Sequence, residues 1–310
     1  MHILKGYTKQ EISWMMYDWA NSAHSVIIVT LLPIFFDTVA GYTADSVSSM
    51  STWGYATSIA MLIVALAAPF LGVFGDIRGM RKKLFSFFML LGVAACAGMA
   101  FTPGMDFTSG PVAAGKVASL ILVLYIVSVI GFDASAIYYD AFLTDVTTED
   151  RMDKVSTMGY GLGYIGGSTI PLLIFLIMNL VGVPMLTCLA FVFGLTAVWW
   201  LAFSLPLLKN CEQTSGKPYE KGDVARSIKG VGTTIKEIIA NKPMLIYILS
   251  YFFYIDGVHT VISMATTYGT NLGLDSTGMM LALLLVQILG LPFCLLYIKC
   301  SEKFGARTMV

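Results

Sequence analysis

The chain alternates long apolar runs with short polar connections. A helix that crosses a bilayer needs about 20 mostly apolar residues, and eight runs reach that length: 16–39, 53–74, 84–102, 117–142, 157–180, 184–206, 244–269 and 277–299. They predict an all-α polytopic membrane protein. The first run follows Lys5 and Lys9 as a secretory leader would. It is too long for one, contains Asp18 and leads to no small-x-small cleavage site, so it is expected to stay in the membrane. One connection differs in kind. Residues 208–243 are polar, with Gly216, Pro218 and Gly222, and then a stretch over 224–240 that reads as an amphipathic helix lying at the membrane surface. This linker divides the chain into a six-helix bundle (1–207), the cytoplasmic linker (208–243) and the first two helices of a second bundle (244–310).

Composition narrows the class. The 310 residues are 57% hydrophobic and 12% charged, about half the charged fraction of a soluble domain, with a mean hydropathy of +0.77. A soluble enzyme, a disordered chain and a nucleic-acid binder are excluded, and the bilayer is an expected partner. The five cysteines (Cys96, Cys188, Cys211, Cys294, Cys300) form no close pair, and the three histidines are scattered. Neither pattern suggests a disulfide framework, a metal site or a cofactor. Charge sets the orientation. Of the 19 Lys and Arg, 18 fall at the N-terminus, in the 75–83 and 143–156 loops, in the linker and in the tail, whereas the other side holds only Lys116. The basic side faces the cytoplasm, which places both ends there.

The seventh run restarts the first. His24-Ser25-Val26-Ile27 returns as His259-Thr260-Val261-Ile262, aligning Asn21 with Asp256, and Gly79-Met80-Arg81 returns as Gly305-Ala306-Arg307. Two parallel six-helix repeats would produce this order. The reading implies that spans nine to twelve belong beyond residue 310.

Several motifs carry a family resemblance. Gly72-x-x-x-Asp76-x-Arg78-Gly79-x-Arg81-Lys82, between the second and third runs, resembles the loop signature of the major facilitator superfamily. Asp76 at a helix end could pair with Arg81 or cap a neighbouring helix and so latch the cytoplasmic side, and Gly79 permits the turn. Tyr17-Asp18-Trp19-Ala20-Asn21-Ser22-Ala23 resembles the hallmark of one branch, the vacuole-effluxer-like family, which includes fungal vacuolar amino-acid exporters. Tyr138-Tyr139-Asp140-Ala141-Phe142-Leu143 is similar to a second motif of that family, in which Asn is commoner where Asp140 stands. Gly161-Leu162-Gly163-Tyr164-Ile165-Gly166-Gly167 and Tyr254-x-Asp256-Gly257-Val258 complete the likeness. The resemblance implies a major facilitator fold and transport by alternating access. Within the glycine run no strand precedes the GxGxxG-like spacing. Gly159, Gly163 and Gly167 instead form small-x-x-x-small steps for close helix packing.

Ionisable groups inside a membrane are costly and therefore candidates for function. At 100° per residue, Asp256, His259, Thr260, Ser263, Thr267 and Thr270 share one face of the seventh run. Asp18, Asn21, Ser22 and Ser25 share a face of the first, with His24 beside it, and Asp133, Asp140 and Thr144 share a face of the fourth. The family resemblance implies that these three spans line the central cavity. Asp256 and Asp133 are the preferred proton carriers, since a carboxyl group in a partly desolvated cavity can exchange a proton near neutral pH. His24 or His259 could share that proton. Asp18 could instead cap the start of the first helix. No Lys or Arg falls in the interior of a run, so amine-bearing solutes, zwitterionic or cationic, are favoured over anions. The expectation is a secondary transporter of small polar organic solutes, amino acids among them, coupled to protons. One alternative is a cation-coupled sugar symporter with Asp18, Asp133 and Asp140 as a sodium site. Another is a receptor or assembly protein that transports nothing, against which the long polar stripe of the seventh run argues. No HExxH, GxSxG or P-loop is present, so neither an enzyme nor an ATP-driven pump is expected. A bacterial plasma membrane is the expected location, with a vacuolar membrane as the alternative suggested by the fungal relatives.

Overall fold

The computed structural model describes residues 4–43, 46–216, 218 and 223–305, with the side chains of 46–48, 223–229, 263, 276 and 277 outside that description. The helices in chain order are α1 (Lys9–Ala40), α2 (Ser46–Gly75), α3 (Arg81–Met99), α4 (Pro111–Val146), α5 (Met152–Leu162), a π-helical segment (Gly163–Thr169), α6 (Ile170–Leu180), α7 (Met185–Asn210), α8 (Asp223–Ala240), α9 (Lys242–Asn271) and α10 (Ser276–Phe304). α5, the π segment and α6 form one continuous span. With it, eight stretches among the described residues are long and apolar enough to cross a bilayer.

The helices overrun the apolar runs that predict them. α1 begins seven residues before its run because Thr8 and Glu11 make a capping box. The Thr8 hydroxyl accepts the Glu11 N–H at 3.1 Å, and the Glu11 carboxylate accepts the Thr8 N–H at 2.7 Å. Asp18 therefore lies inside the helix and caps nothing. The same glutamate is 1% exposed and receives the Arg151 guanidinium at 2.8 and 2.9 Å, as well as the Thr147 hydroxyl at 2.7 Å. This ties the start of α1 to the turn between α4 and α5.

α1 is the centre of the first bundle. Its apolar window is 72% buried, against 11% for α2, and it packs on α4, α7 and the fifth span. Trp14, Tyr17 and Phe35 from α1 meet Phe85, Phe142, Phe193 and Trp200 in a core where none is more than 2% exposed.

The fifth span widens into a π turn for a local reason. Pro171 has no N–H to give the preceding turn, and its ring crowds the carbonyl four residues back. The chain relieves this over Gly163–Thr169, where the Thr169 hydroxyl donates to the Tyr164 carbonyl at 2.7 Å.

α9 and α10 meet the first bundle differently. α9 touches α1 near its far end, where Thr266 donates to the Val29 carbonyl at 3.4 Å and Thr266, Thr267 and Gly269 are buried. Between 244 and 262 no residue of α9 is buried. α10 lies along α5 and the π segment, with Lys154 donating to Glu302 at 2.7 Å. The internal repeat has a backbone counterpart: Gly79 and Gly305, which follow the second and eighth spans, have φ of +80° and +81°. Both occupy the left-handed region that glycine enters without strain.

Candidate transport site

Two quoted motifs touch each other. Tyr17 and Asp18 on α1 face Ser135 and Tyr139 on α4. The Tyr17 and Ser135 hydroxyls are 2.8 Å apart, Trp200 of α7 donates its indole N–H to the Tyr17 hydroxyl at 3.3 Å, and the Tyr139 phenol donates to Asp18 Oδ2 at 2.8 Å. Trp14 fixes the phenol. It stacks on the Tyr139 ring at 4.3 Å and donates its indole N–H to the Tyr139 carbonyl at 2.9 Å.

Asp18 is 8% exposed, and among the described residues no Lys or Arg pairs with it. Its remaining surface faces the fifth span. A Cβ at Gly159 would lie 3.5 Å from the Asp18 carboxyl carbon, and one at Gly163 would lie 3.1 Å from the Asp18 carbonyl. One at Gly167 would lie 2.7 Å from Ser22 Cβ, closer than real contacts allow. The glycine strip thus abuts α1 on the side that carries Asp18 and Ser22. The face of the first span expected to line water is largely covered. Asn21 is buried, and Ser22 and Ser25 are half-buried.

The other sequence candidates separate. His24 is 2% exposed, stacked on Phe132 at 4.7 Å and beside Trp200 at 5.2 Å, with Nε2 3.2 Å from the Ser128 hydroxyl. It is a packing residue of the α1–α4–α7 core, so its expected place in an open cavity is corrected: the aromatic rings of α4 and α7 enclose it. Asp133 is half-buried and lies within electrostatic reach of Tyr125, whereas Asp140 and Thr144 are exposed on α4. Asp140 and Tyr160 of α5 both lie within electrostatic reach of Asp18. Asp256, His259 and Thr260 are exposed on α9, and the Ser263 side chain lies outside the described residues. Among the described residues no three His, Cys, Asp or Glu side chains gather closely enough to hold a metal ion, so Asp18, Asp133 and Asp140 do not form the three-carboxylate sodium site of the alternative reading. A groove of about 590 Å³ between the fifth and eighth spans is lined by Tyr160, Tyr164, Phe293, Cys294 and Tyr297.

The loop between α2 and α3 is built around a residue that sequence reasoning missed. Arg81 stands 3.9 Å from Asp76, whose side chain is 83% exposed. Its principal partner is the fully shielded carboxylate of Asp145 at the end of α4. Arg78 is exposed, Gly72 and Lys82 are half-buried, and Gly79 makes the turn. Asp145 gave no signal in the sequence, because its partners lie 64 to 70 positions away.

Residues 7–310 match the family described as "Vacuole effluxer Atg22 like". Over 316 residues the chain is 39% identical to the uncharacterized MFS-type transporter YxiO of Bacillus subtilis, an alignment that covers 99% of this chain and 71% of that protein. It is also 24% identical over 172 residues to autophagy-related protein 22-1 of Sclerotinia sclerotiorum, covering 50% of this chain and 29% of the fungal protein. Among solved structures, a D-xylose–proton symporter superposes with a TM-score of 0.60 at 15% identity, over 96% of this chain and 69% of that one. The xylose transporter XylE of E. coli, in a partially occluded inward-open conformation, superposes with a TM-score of 0.57 at 14% identity, over 96% and 73%. At such identities the likeness shows the fold.

Proposed function

The chain belongs to the vacuole effluxer Atg22-like family and is an integral membrane transporter of the major facilitator type, and from that premise we propose that it moves small polar organic solutes, amino acids foremost, by proton-coupled alternating access. The observation that carries the proposal is the environment of Asp18: a carboxyl group enclosed by α1, α4 and the fifth span, with one phenol donating to it and, among the described residues, no cation paired with it. An ionised carboxylate shielded from water without a counter-charge is strongly disfavoured, and a carboxyl in that position is stable when it carries a proton or has water admitted to it. A group that must be neutral when enclosed and can ionise when water reaches it couples a proton to a change of access. Asp140, exposed one position from Tyr139, offers the proton a route to solvent. Asp18 thus takes the role that sequence reasoning gave first to Asp256 and Asp133.

The amine-bearing class of solute follows from charge. α1, α4 and α9 carry Asp18, Asp133, Asp140 and Asp256, with no Lys or Arg on those helices between Lys116 at one end of α4 and the ends of α1 and α9. The plasma membrane of a bacterium is the proposed location, with the linker and both ends on the cytoplasmic side. Proton flux through purified transporter, with a panel of amino acids and sugars and with Asp18→Asn and Asp256→Asn alongside, tests the reading. Amino-acid-driven flux that Asp18→Asn abolishes supports it. Flux driven by sugars alone would replace the substrate class.

A further inference from the structure

The start of the linker is bound to the gate loop. After α7 ends at Asn210, the chain turns back along the cytoplasmic face, with Cys211 fully buried at its root. Thr214 and Ser215 each donate a backbone N–H and a side-chain hydroxyl to Asp145 Oδ1, at 3.1 and 2.8 Å and at 2.9 and 2.8 Å. Arg81 holds the other oxygen of that carboxylate and donates to the Ala141 carbonyl at 3.0 Å and the Ser215 hydroxyl at 3.2 Å. Gln213 bridges the turn itself: its Oε1 accepts the N–H of Gly79 at 2.8 Å and of Arg81 at 3.3 Å, while its Nε2 donates to the Gly75 carbonyl at 3.0 Å. Gly216 closes the contact at φ +119°, where a Cβ would lie 2.8 Å from the Asp76 carbonyl.

We propose that residues 213–216 form a strap that positions the cytoplasmic gate: docked on Asp145 and on the turn after α2, the linker holds the gate loop in the conformation described, and its release sets how fast the transporter changes access. Three features carry this. The backbone bonds of the turn itself are short-range, from Asp76 to Gly72 at 3.1 Å, Ile77 to Phe74 at 3.3 Å and Met80 to Ile77 at 3.0 Å, and its Asp76 and Arg78 side chains are exposed. The strap supplies partners for the backbone of Gly75, Gly79 and Arg81, groups that would otherwise turn to water. The Asp145 carboxylate, wholly shielded, receives four of its donors from the strap, so undocking exposes a buried charge and lets Arg81 exchange partners. The same chain segment leads through α8 into α9, the first helix of the second bundle, so movement of that bundle is transmitted to the strap. Gln213, Thr214, Ser215 and Asp145 are positioning residues and touch no solute.

The gating part rests on the transport reading above; the docking part does not. The test uses the full-length transporter in lipid vesicles and compares wild type, the triple variant Gln213→Ala/Thr214→Val/Ser215→Ala, and the hydroxyl exchange Thr214→Ser/Ser215→Thr. Amide exchange of the 75–81 peptide is expected to quicken at least tenfold in the triple variant, which removes the side-chain hydrogen bonds of Gln213, Thr214 and Ser215, and to stay at the wild-type rate in the exchange variant. The maximal transport rate is expected to change at least threefold in the triple variant with KM held within twofold, and to be restored by the exchange variant. Unchanged amide exchange in the triple variant would overturn the docking. A quickened exchange with an unchanged maximal rate would overturn the gating. A wild type that transports no solute on a broad panel would count against the transport reading, and against gating with it, while the exchange arm still decides the docking.

Discussion

At Asp18 a single phenol stands between a buried carboxyl group and an incomplete hydrogen-bond set. Tyr139→Phe keeps the stacking on Trp14 and removes that donor. The loss of a hydrogen bond in a buried site, about 1–3 kcal/mol, is expected to lower coupled transport roughly tenfold or more, with folding retained, as read by substrate-driven proton flux and monodispersity in detergent. Glu11 is the structural counterpart. Its carboxylate is enclosed and holds Arg151, whose side chain is one-third exposed. Glu11→Leu is expected to destabilise the protein by about 2–3 kcal/mol, below the value for a wholly buried pair because Arg151 can turn to water; a lowered midpoint of thermal unfolding checks this. Asp18 drew notice in the sequence because an acid is rare in an apolar run, although sequence reasoning preferred Asp256 and Asp133, and its enclosure came only with the structure. His24 was equally conspicuous and misleading: its environment comes from Ser128, 104 positions away, and from rings on α4 and α7 that no local pattern announces.

Among the elements, the fifth span shows how residues too small to interact decide a packing. Gly167→Val would drive a side chain into Trp19 and Ser22 of α1, and overpacking of this kind costs about 1–3 kcal/mol. Gly257→Ala on α9 meets nothing within 4 Å and is expected to be neutral or to stabilise by about 0.5 kcal/mol through helix propensity; the two unfolding midpoints should diverge accordingly. The small-x-x-x-small spacing announced close packing but could not say that the strip lies against Asp18. Nor could it announce the π turn, which depends on Pro171 and a Thr169 hydroxyl acting together. At the linker, burial pushes the Cys211 thiol up to about 12, so at pH 7–8 almost none is thiolate, the reactive form. In a variant lacking the other four cysteines, Cys211 is expected to react slowly with a maleimide, faster as pH rises, and at least tenfold faster at neutral pH once the strap residues are substituted. Equal rates in the two proteins would contradict a docked strap.

For the molecule as a whole, the count and order of the eight spans were legible because bilayer thickness fixes the length of each run. The repeat was legible in seven aligned positions, and its two glycines, Gly79 and Gly305, share a positive φ. What the sequence could not supply was the way the two helices of the second bundle meet the first, because the polar stripe of α9 marks a face without naming the helix it meets, and the long apolar run of α10 specifies no partner. The orientation has its own test. A cysteine replacing Lys116 is expected to react with an impermeant reagent applied to intact cells, and one replacing Lys236 only after the membrane is opened; the reverse pattern would invert the topology.

The central claim is that a proton carried at Asp18 is coupled to movement of an amine-bearing solute. The most direct measurement places the transporter in proteoliposomes with an internal pH dye and adds amino acids one at a time to wild type and Asp18→Asn. The account predicts an amino-acid-dependent proton flux in the wild type, and in the variant solute exchange without proton movement. Proton flux of wild-type size in a folded Asp18→Asn protein would contradict it.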